Sequence, residues 1–292
     1  MIARPITDTS KVLSFDLYPK YVNRLNGIAE FMRANPTANL FFLSESGLHI
    51  ARSEILFSRS THIYTGLCYY IDLGYGHLRR ELEQSIDLEI SVVNRAIKIQ
   101  SFHGLWNCNS YEWTHFINAS ILINNKDKLD QLLNFKIWEF IDLEEPFHKL
   151  FAQFQYYLLT RDMANQQKFS YLLHEDAESN IGVFIGREKN EKIYIAGRSE
   201  RIKTLYLPLV NLYDLAAKEN TEEFNEILNI YLLAKRSYLI KEKLADDFRY
   251  WIDFSCLAVC AFACDLGIDI IIESDYIPKW VYKREFEKEL LF

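Results

Sequence analysis

Tyr250-Trp251-Ile252-Asp253-Phe254-Ser255-Cys256-Leu257-Ala258-Val259-Cys260-Ala261-Phe262-Ala263-Cys264-Asp265-Leu266-Gly267 is the stretch on which the fold turns. From Trp251 to Leu266 it is apolar on nearly all sides of a 3.6-residue period, the pattern of a helix packed on every face. Asp246 or Asp247 is expected to cap its start, and Gly267, free to take a positive φ, to stop it. The uninterrupted apolar run lies between Asp253 and Asp265 and falls far short of the roughly 20 residues that cross a bilayer. It is therefore expected to be the central helix of a protein without a membrane span.

Cys256, Cys260 and Cys264 recur every fourth residue of that helix, in line with one another, where they bridge poorly. Structural zinc sites typically pair cysteines two to four residues apart with a second pair elsewhere, and here Cys68 and Cys108 stand alone, so buried, reduced thiols are expected and no metal. The odd total of five cysteines agrees, and the first residues, Met1 to Thr9, lack the pattern of a secretory signal. The chain is expected to be cytoplasmic.

Around that helix the chain reads as helical throughout. It has 292 residues, 49% of them hydrophobic and 15% aromatic, with only ten Gly and six Pro, a composition for a packed core with few turns. No linker or low-complexity tract marks a boundary, so a single helical domain over 1–292 is expected, with 1–105 the candidate for an N-terminal subdomain.

Leu25, Ile28, Ala29 and Met32 give one face of a helix from Tyr21 to Ala34, stopped by Asn35-Pro36. A long helix is expected from about Ser46 to Leu73, ending at Gly74. Alternation of Ile86, Leu88 and Ile90 with Asp87 and Glu89 switches to strand periodicity between Ser85 and Ile99.

Trp113, Phe116, Ile117 and Ile121 start a helical hairpin that breaks at Asn124-Asn125-Lys126-Asp127. Pro146 suits a first helical turn ahead of Phe147, Leu150, Phe151, Phe154 and Leu158, and a further helix covers Asn165 to about Glu175. Ile181 to Arg198, with three glycines, is expected to be an irregular connection holding a small β hairpin. Leu205 to Ala217 form one helix, and Thr221 caps the next ahead of Glu222 and Glu223. Ile268 to Ile272 suggest a buried extended segment, and Lys279 to Leu290 a closing helix. The fold class is mainly α: a multi-helical bundle of stacked helical hairpins with a few short β segments.

With 40 acidic against 33 basic residues the formal charge is -7, so no phosphate-tracking surface and no direct nucleic-acid partner are expected. Nucleophile elbows, phosphate-binding glycine loops and His-Glu-x-x-His zinc motifs are absent. Two Glu-x-x-His elements are the one catalytic lead: Glu112 with His115 and Glu145 with His148, the spacing that di-metal carboxylate bundles use. Against it, Pro146 puts Glu145 at a helix start, and the pairs stand too close for each to follow a helix carrying another Glu. The expectation is no catalytic residues, no cofactor and no enzyme.

The acidic residues Glu139, Asp142, Glu144 and Glu145, with Trp138 beside them, form the candidate binding segment, because carboxylates next to aromatic anchors suit a basic protein partner. The ordinary reading of such a cluster is a solvated helix end.

The segment from Tyr250 to Ile268, followed by Ile272-Glu273-Ser274-Asp275-Tyr276-Ile277-Pro278, resembles the C-terminal signature of the immunity protein 49 family. That signature is a small-residue apolar helix, a glycine stop, an extended piece and Glu-Ser-x-Tyr-Leu-Pro. Leu205 to Tyr238 is similar to the family's upstream helices, so the resemblance covers about the last 90 residues well. The PoNi-type nuclease immunity proteins share a similar layout. Both resemblances imply a mostly helical antitoxin of a polymorphic toxin system, a toxin inhibitor in interbacterial competition whose partner is a cognate toxin domain, with a nuclease among the targets. The competing readings are the di-metal enzyme and a helical scaffold.

Overall fold

The computed structural model describes residues 1–4, 18–35, 38–83, 87–100, 109–141, 144–185 and 190–290. In chain order α1 (Tyr18–Asn26) and α2 (Ile28–Ala34) precede α3 (Leu40–Leu56) and α4 (Ile63–Glu83), followed by the hairpin β1 (Asp87–Val92) and β2 (Arg95–Gln100). Then come α5 (Ser110–Ile123), α6 (Lys126–Leu133), α7 (Pro146–Leu159), α8 (Met163–Ala177) and a second hairpin, β3 (Ile181–Ile185) and β4 (Asn190–Tyr194). The chain closes with α9 (Arg198–Leu205), α10 (Leu207–Ala217), α11 (Thr221–Lys241), α12 (Phe254–Asp265) and α13 (Lys279–Tyr282). The fold is mainly α, and both sheets are two-stranded and antiparallel. No helix among the described residues is long and apolar enough to cross a membrane.

The central position of α12 follows from its sequence. Cys256 to Ala261 are fully buried, and the helix packs against α5 on one side and α10 on another. Its small side chains leave room for neighbours on every face, and Gly267 ends it at φ +87°. One cluster of buried apolar side chains runs from Leu25 to Phe286.

The start of α12 corrects the expected cap. Asp253, not Asp246 or Asp247, accepts from the backbone N–H of Cys256 at 3.0 Å, so the helix begins at Phe254. Asp247 instead caps the single 3-10 turn Phe248–Tyr250. Trp251 and Ile252 are buried ahead of the helix, and their apolarity had merged with it in the periodicity.

Other boundaries move for similar reasons. The helix placed at Tyr21 to Ala34 breaks at Gly27 into α1 and α2. The long helix placed from Ser46 to Leu73 is two: α3 ends at Leu56, the chain turns through Ser58 at φ 53°, and α4 begins at Ile63. Gly74 lies inside α4, where a Cβ would stand 2.2 Å from the Phe116 ring; close packing, not a stop, is its use. Where α3 crosses α4, a Cβ on Gly47 would stand 2.3 Å from the Gly66 carbonyl oxygen, so the crossing demands glycine.

Tyr206 separates α9 from α10, with Pro208 in the first turn of the latter, so the helix expected over Leu205 to Ala217 starts at Leu207. Asn220, not Thr221, caps α11 through the Glu223 N–H at 3.3 Å. Ile268 and Ile270 are buried, but Ile271 is 72% exposed, and among the described residues the segment pairs with no strand. The closing helix is the single turn α13, because the chain leaves the helical region at Arg284, φ 57°. The β structure expected within Ser85 to Ile99 and Ile181 to Arg198 is present as hairpins over residues 87–100 and 181–194, with Leu88 and Ile90 buried and Glu89 exposed as alternation requires; Ser85 and Ile86 lie outside the described residues.

Candidate functional site

Tyr111, in the first turn of α5, stands where three concavities meet. Its ring lies 4.4 Å from that of His115, one turn on, and 4.7 Å from that of His148 on α7, which also meets Tyr206 edge-on at 5.2 Å. The histidines of the two Glu-x-x-His elements therefore converge on one tyrosine.

Their glutamates do not. Glu112 lies 3.8 Å from His77 Nε2, on α4. Glu145 Oε1 accepts from Arg198 Nε at 2.6 Å, and Oε2 from the Val183 N–H at 3.3 Å. Arg198 is fully buried and also bonds Asp176 and the Ser179 carbonyl, both at 2.7 Å, so Glu145 helps to tie α7, α8, β3 and α9 together. Among the described residues no group of three or more His, Cys, Asp or Glu side chains is placed to hold a metal ion. Burial holds His115 down to about 4 and His148 to about 3, the latter helped by Arg201, so both rings stay neutral near pH 7.

The candidate binding segment is mostly drawn into the protein. Trp138 is 7% exposed, edge-on to Trp113 at 5.6 Å and to Tyr156 at 5.3 Å. Glu144 accepts from the Ser110 N–H at 2.8 Å and its hydroxyl at 2.7 Å, which places a carboxylate on the positive end of α5. Burial nevertheless pushes the Glu144 carboxyl up, against those two bonds. Glu144 and Glu145 are therefore not the solvated carboxylates of a helix end: each has a partner distant in sequence. Glu139 is exposed beside Phe140, which is 59% exposed, and Asp142 lies outside the described residues. Glu144 and Glu145 line a cleft of about 350 Å³ next to Tyr111.

On the other side of Tyr111 lies a cavity of about 710 Å³. Tyr21, Phe41, Phe42, Tyr70 and Tyr250 complete its aromatic wall, and α3 supplies its polar groups Glu45, His49 and Arg52. Arg52 is 5% exposed and donates from one nitrogen to His49 Nδ1 at 3.2 Å. Its guanidinium carbon lies 5.6 Å from the Phe248 ring centre and 5.5 Å from that of Phe254. Its Nε has no hydrogen-bond partner among the described residues. His49 stacks on Tyr21 at 4.9 Å, and burial with Arg52 and Arg24 beside it holds its ring down to about 4. Burial likewise raises the Glu45 carboxyl, with Arg52 opposing.

Sequence reasoning missed this cavity. A signal existed: an arginine at position 52, within the apolar run that includes Leu48, Ile50, Ala51 and Ile55. An ionised group there needs a reason to be buried.

Below the cavity Lys235 and Tyr231 both donate to Asp253, the tyrosine at 2.6 Å. Burial alone would raise the Asp253 carboxyl; Lys235 and Tyr231 reverse this and hold it below the usual carboxylate range. Three of the cysteines are poor nucleophiles: burial pushes Cys68 up to about 12 and Cys264 to about 11, and raises Cys256 as well; Cys108 lies outside the described residues.

Comparison with known proteins gives one family: the model for immunity protein 49 matches residues 62–281. No curated protein and no solved structure matches.

Proposed function

The chain belongs to the immunity protein 49 family, and from that membership we propose that it binds a cognate bacterial toxin domain and neutralises it by stoichiometric occlusion. The single observation that carries this reading is the family match over residues 62–281. The site chemistry supports it. Burial keeps His115 and His148 neutral, Glu145 is committed to Arg198, and burial raises the Cys68 and Cys256 thiols, which leaves an aromatic-walled surface better suited to contact than to turnover. Binding in the cytoplasm of the producing cell, without a cofactor, is part of the proposal.

The net charge of -7 favours a target that is basic overall, and a nuclease is the class we propose first. Affinity in the nanomolar range, about -12 kcal/mol, is what protection by occlusion requires. The test is co-expression with the toxin domain encoded beside the gene. Growth restored in the presence of this protein, together with a co-purifying complex, supports the reading; toxicity undiminished and no complex overturns it.

A further inference from the structure

We infer that the cavity between α3 and Tyr111 takes an inserted loop of the toxin, with a carboxylate of that loop seated on Arg52 and an apolar side chain packed against Phe42. This rests on the toxin-binding reading and adds the place and the chemistry of contact.

Arg52 is the first observation. A guanidinium that is 5% exposed ordinarily has a carboxylate partner, because desolvation of a charge is costly unless it is paired. Among the described residues its hydrogen bond goes to a neutral histidine and two aromatic rings stack on it, while Glu45 and Asp247 act on it only through their charge. Nε makes no bond within the described protein, and the side chain lines the cavity. The fork is held in place by its stack, ready for a planar acceptor.

The surrounding charges select the occupant. Arg249 is taken by Asp247, with Nε at 3.0 Å from both carboxylate oxygens, and Glu112 lies beside His77. Arg24, at the rim, donates to Ser46 at 3.2 Å. Glu45 lines the cavity seven positions before Arg52 on the same helix and makes no ion pair with it within 4.0 Å. A bare inorganic anion would satisfy Arg52 and oppose Glu45. A peptide loop serves both, offering a carboxylate to the guanidinium and a main-chain N–H to Glu45.

The walls fit the same occupant. The volume of about 710 Å³ lies within the roughly 300–1,000 Å³ of pockets that bury most of what they bind. Phe42 is 59% exposed and Tyr111 39% exposed, so the lining carries uncovered apolar surface. Position in the chain adds a third argument. Glu45, His49 and Arg52 precede residue 62, where the family match begins, whereas Tyr70, Tyr111 and Tyr250 lie within it. Arg52, on which the inference turns, thus comes from outside the matched span, although Glu112, His115 and Arg249 of the same lining lie within it; a determinant outside the shared span suits recognition of one particular toxin.

The experiment measures binding of the purified toxin domain encoded beside the gene to wild type, Phe42→Ser, Arg52→Lys and Ile240→Ser. Phe42 is exposed, so Phe42→Ser is expected to keep the fold, and Ile240 is an exposed apolar residue on α11 that does not line the cavity. Phe42→Ser and Arg52→Lys are each expected to weaken binding at least about tenfold, mainly through faster dissociation, with Ile240→Ser unchanged. Should Arg52→Lys not fold, Phe42→Ser alone decides. Wild-type affinity in both cavity variants, with the wild type still forming a complex, overturns the cavity and leaves the immunity reading standing. A wild type that binds no toxin overturns that reading, and the inference with it.

Discussion

Arg52 and His49 lie three positions apart on α3, and the guanidinium donates to the imidazole Nδ1 at 3.2 Å. Arginine has no acceptor, so the bond fixes Nδ1 of His49 as unprotonated, with the proton on Nε2. The ring is thus a neutral hydrogen-bond acceptor for a buried cation. His49→Phe keeps a ring against Tyr21 and Phe248 but removes the acceptor. A loss of about 1–3 kcal/mol is expected, read as a lower denaturation midpoint at unchanged slope. An unchanged midpoint would show that the bond contributes nothing.

Acid should destabilise the protein through its buried histidines. His49, His77 and His115 are held down to about 4 and His148 to about 3, all chiefly by burial. Between pH 6.5 and 4 the unfolded chain binds protons at these positions and the folded chain does not, so stability falls as pH falls through that window. A histidine held from 6.5 down to about 4 accounts for roughly 3 kcal/mol when fully expressed. Asp72 and Glu144, raised by burial, act in the opposite sense, so the readout is a difference. His148→Phe should lose less melting temperature than wild type between pH 7 and 4.5; parallel curves would remove His148 from the account.

Asp253 joins the cap of α12 to a buried ion pair. Asp253→Ala deletes the acceptor for the Cys256 N–H and strands Lys235, which is 6% exposed. The cost expected is about 3–5 kcal/mol for the unpaired charge, with about 1 more for the cap. Such a variant should leave the soluble fraction. Asp253→Asn with Lys235→Met keeps a capping oxygen and removes both charges, and should recover most of the lost stability; no recovery in this double variant would show that something other than the pair holds this corner.

The α12 region shows what the sequence made legible and what it hid. A helix apolar on all sides has one explanation, and α12 is central as expected. Its cap was not legible, because Asp246, Asp247 and Asp253 are equal as residue types and only Lys235 and Tyr231, brought in from α11, distinguish the last. Glycine posed the same problem: Gly267 stops a helix at φ +87°, while Gly74 makes room for Phe116 in the middle of one. The acidic run was misread for a reason of distance. The partner of Glu144 is Ser110, 34 positions earlier, and that of Glu145 is Arg198, 53 later, and no local pattern contains either.

Glu139, Asp142, Glu144 and Glu145 should accordingly separate by assay. Glu144→Gln is expected to cost about 1–2 kcal/mol of stability, since the amide weakens a charge-assisted pair of bonds to Ser110. Glu139→Gln with Asp142→Asn should leave the melting temperature unchanged and, where this segment meets the toxin, slow association and flatten its salt dependence. Association rates at two ionic strengths decide: identical rates and slopes in the double variant and the wild type remove Glu139 and Asp142 from the interface.

Stoichiometric occlusion is tested most directly by titration. The purified toxin domain encoded beside the gene is assayed for its own activity at fixed concentration while this protein is added in increments. Residual activity should fall in a straight line and reach zero at one equivalent, as tight one-to-one binding demands. Complete loss of activity at a small fraction of an equivalent would mean that the protein turns over, and undiminished activity at several equivalents would mean that it does not bind; either result contradicts the account.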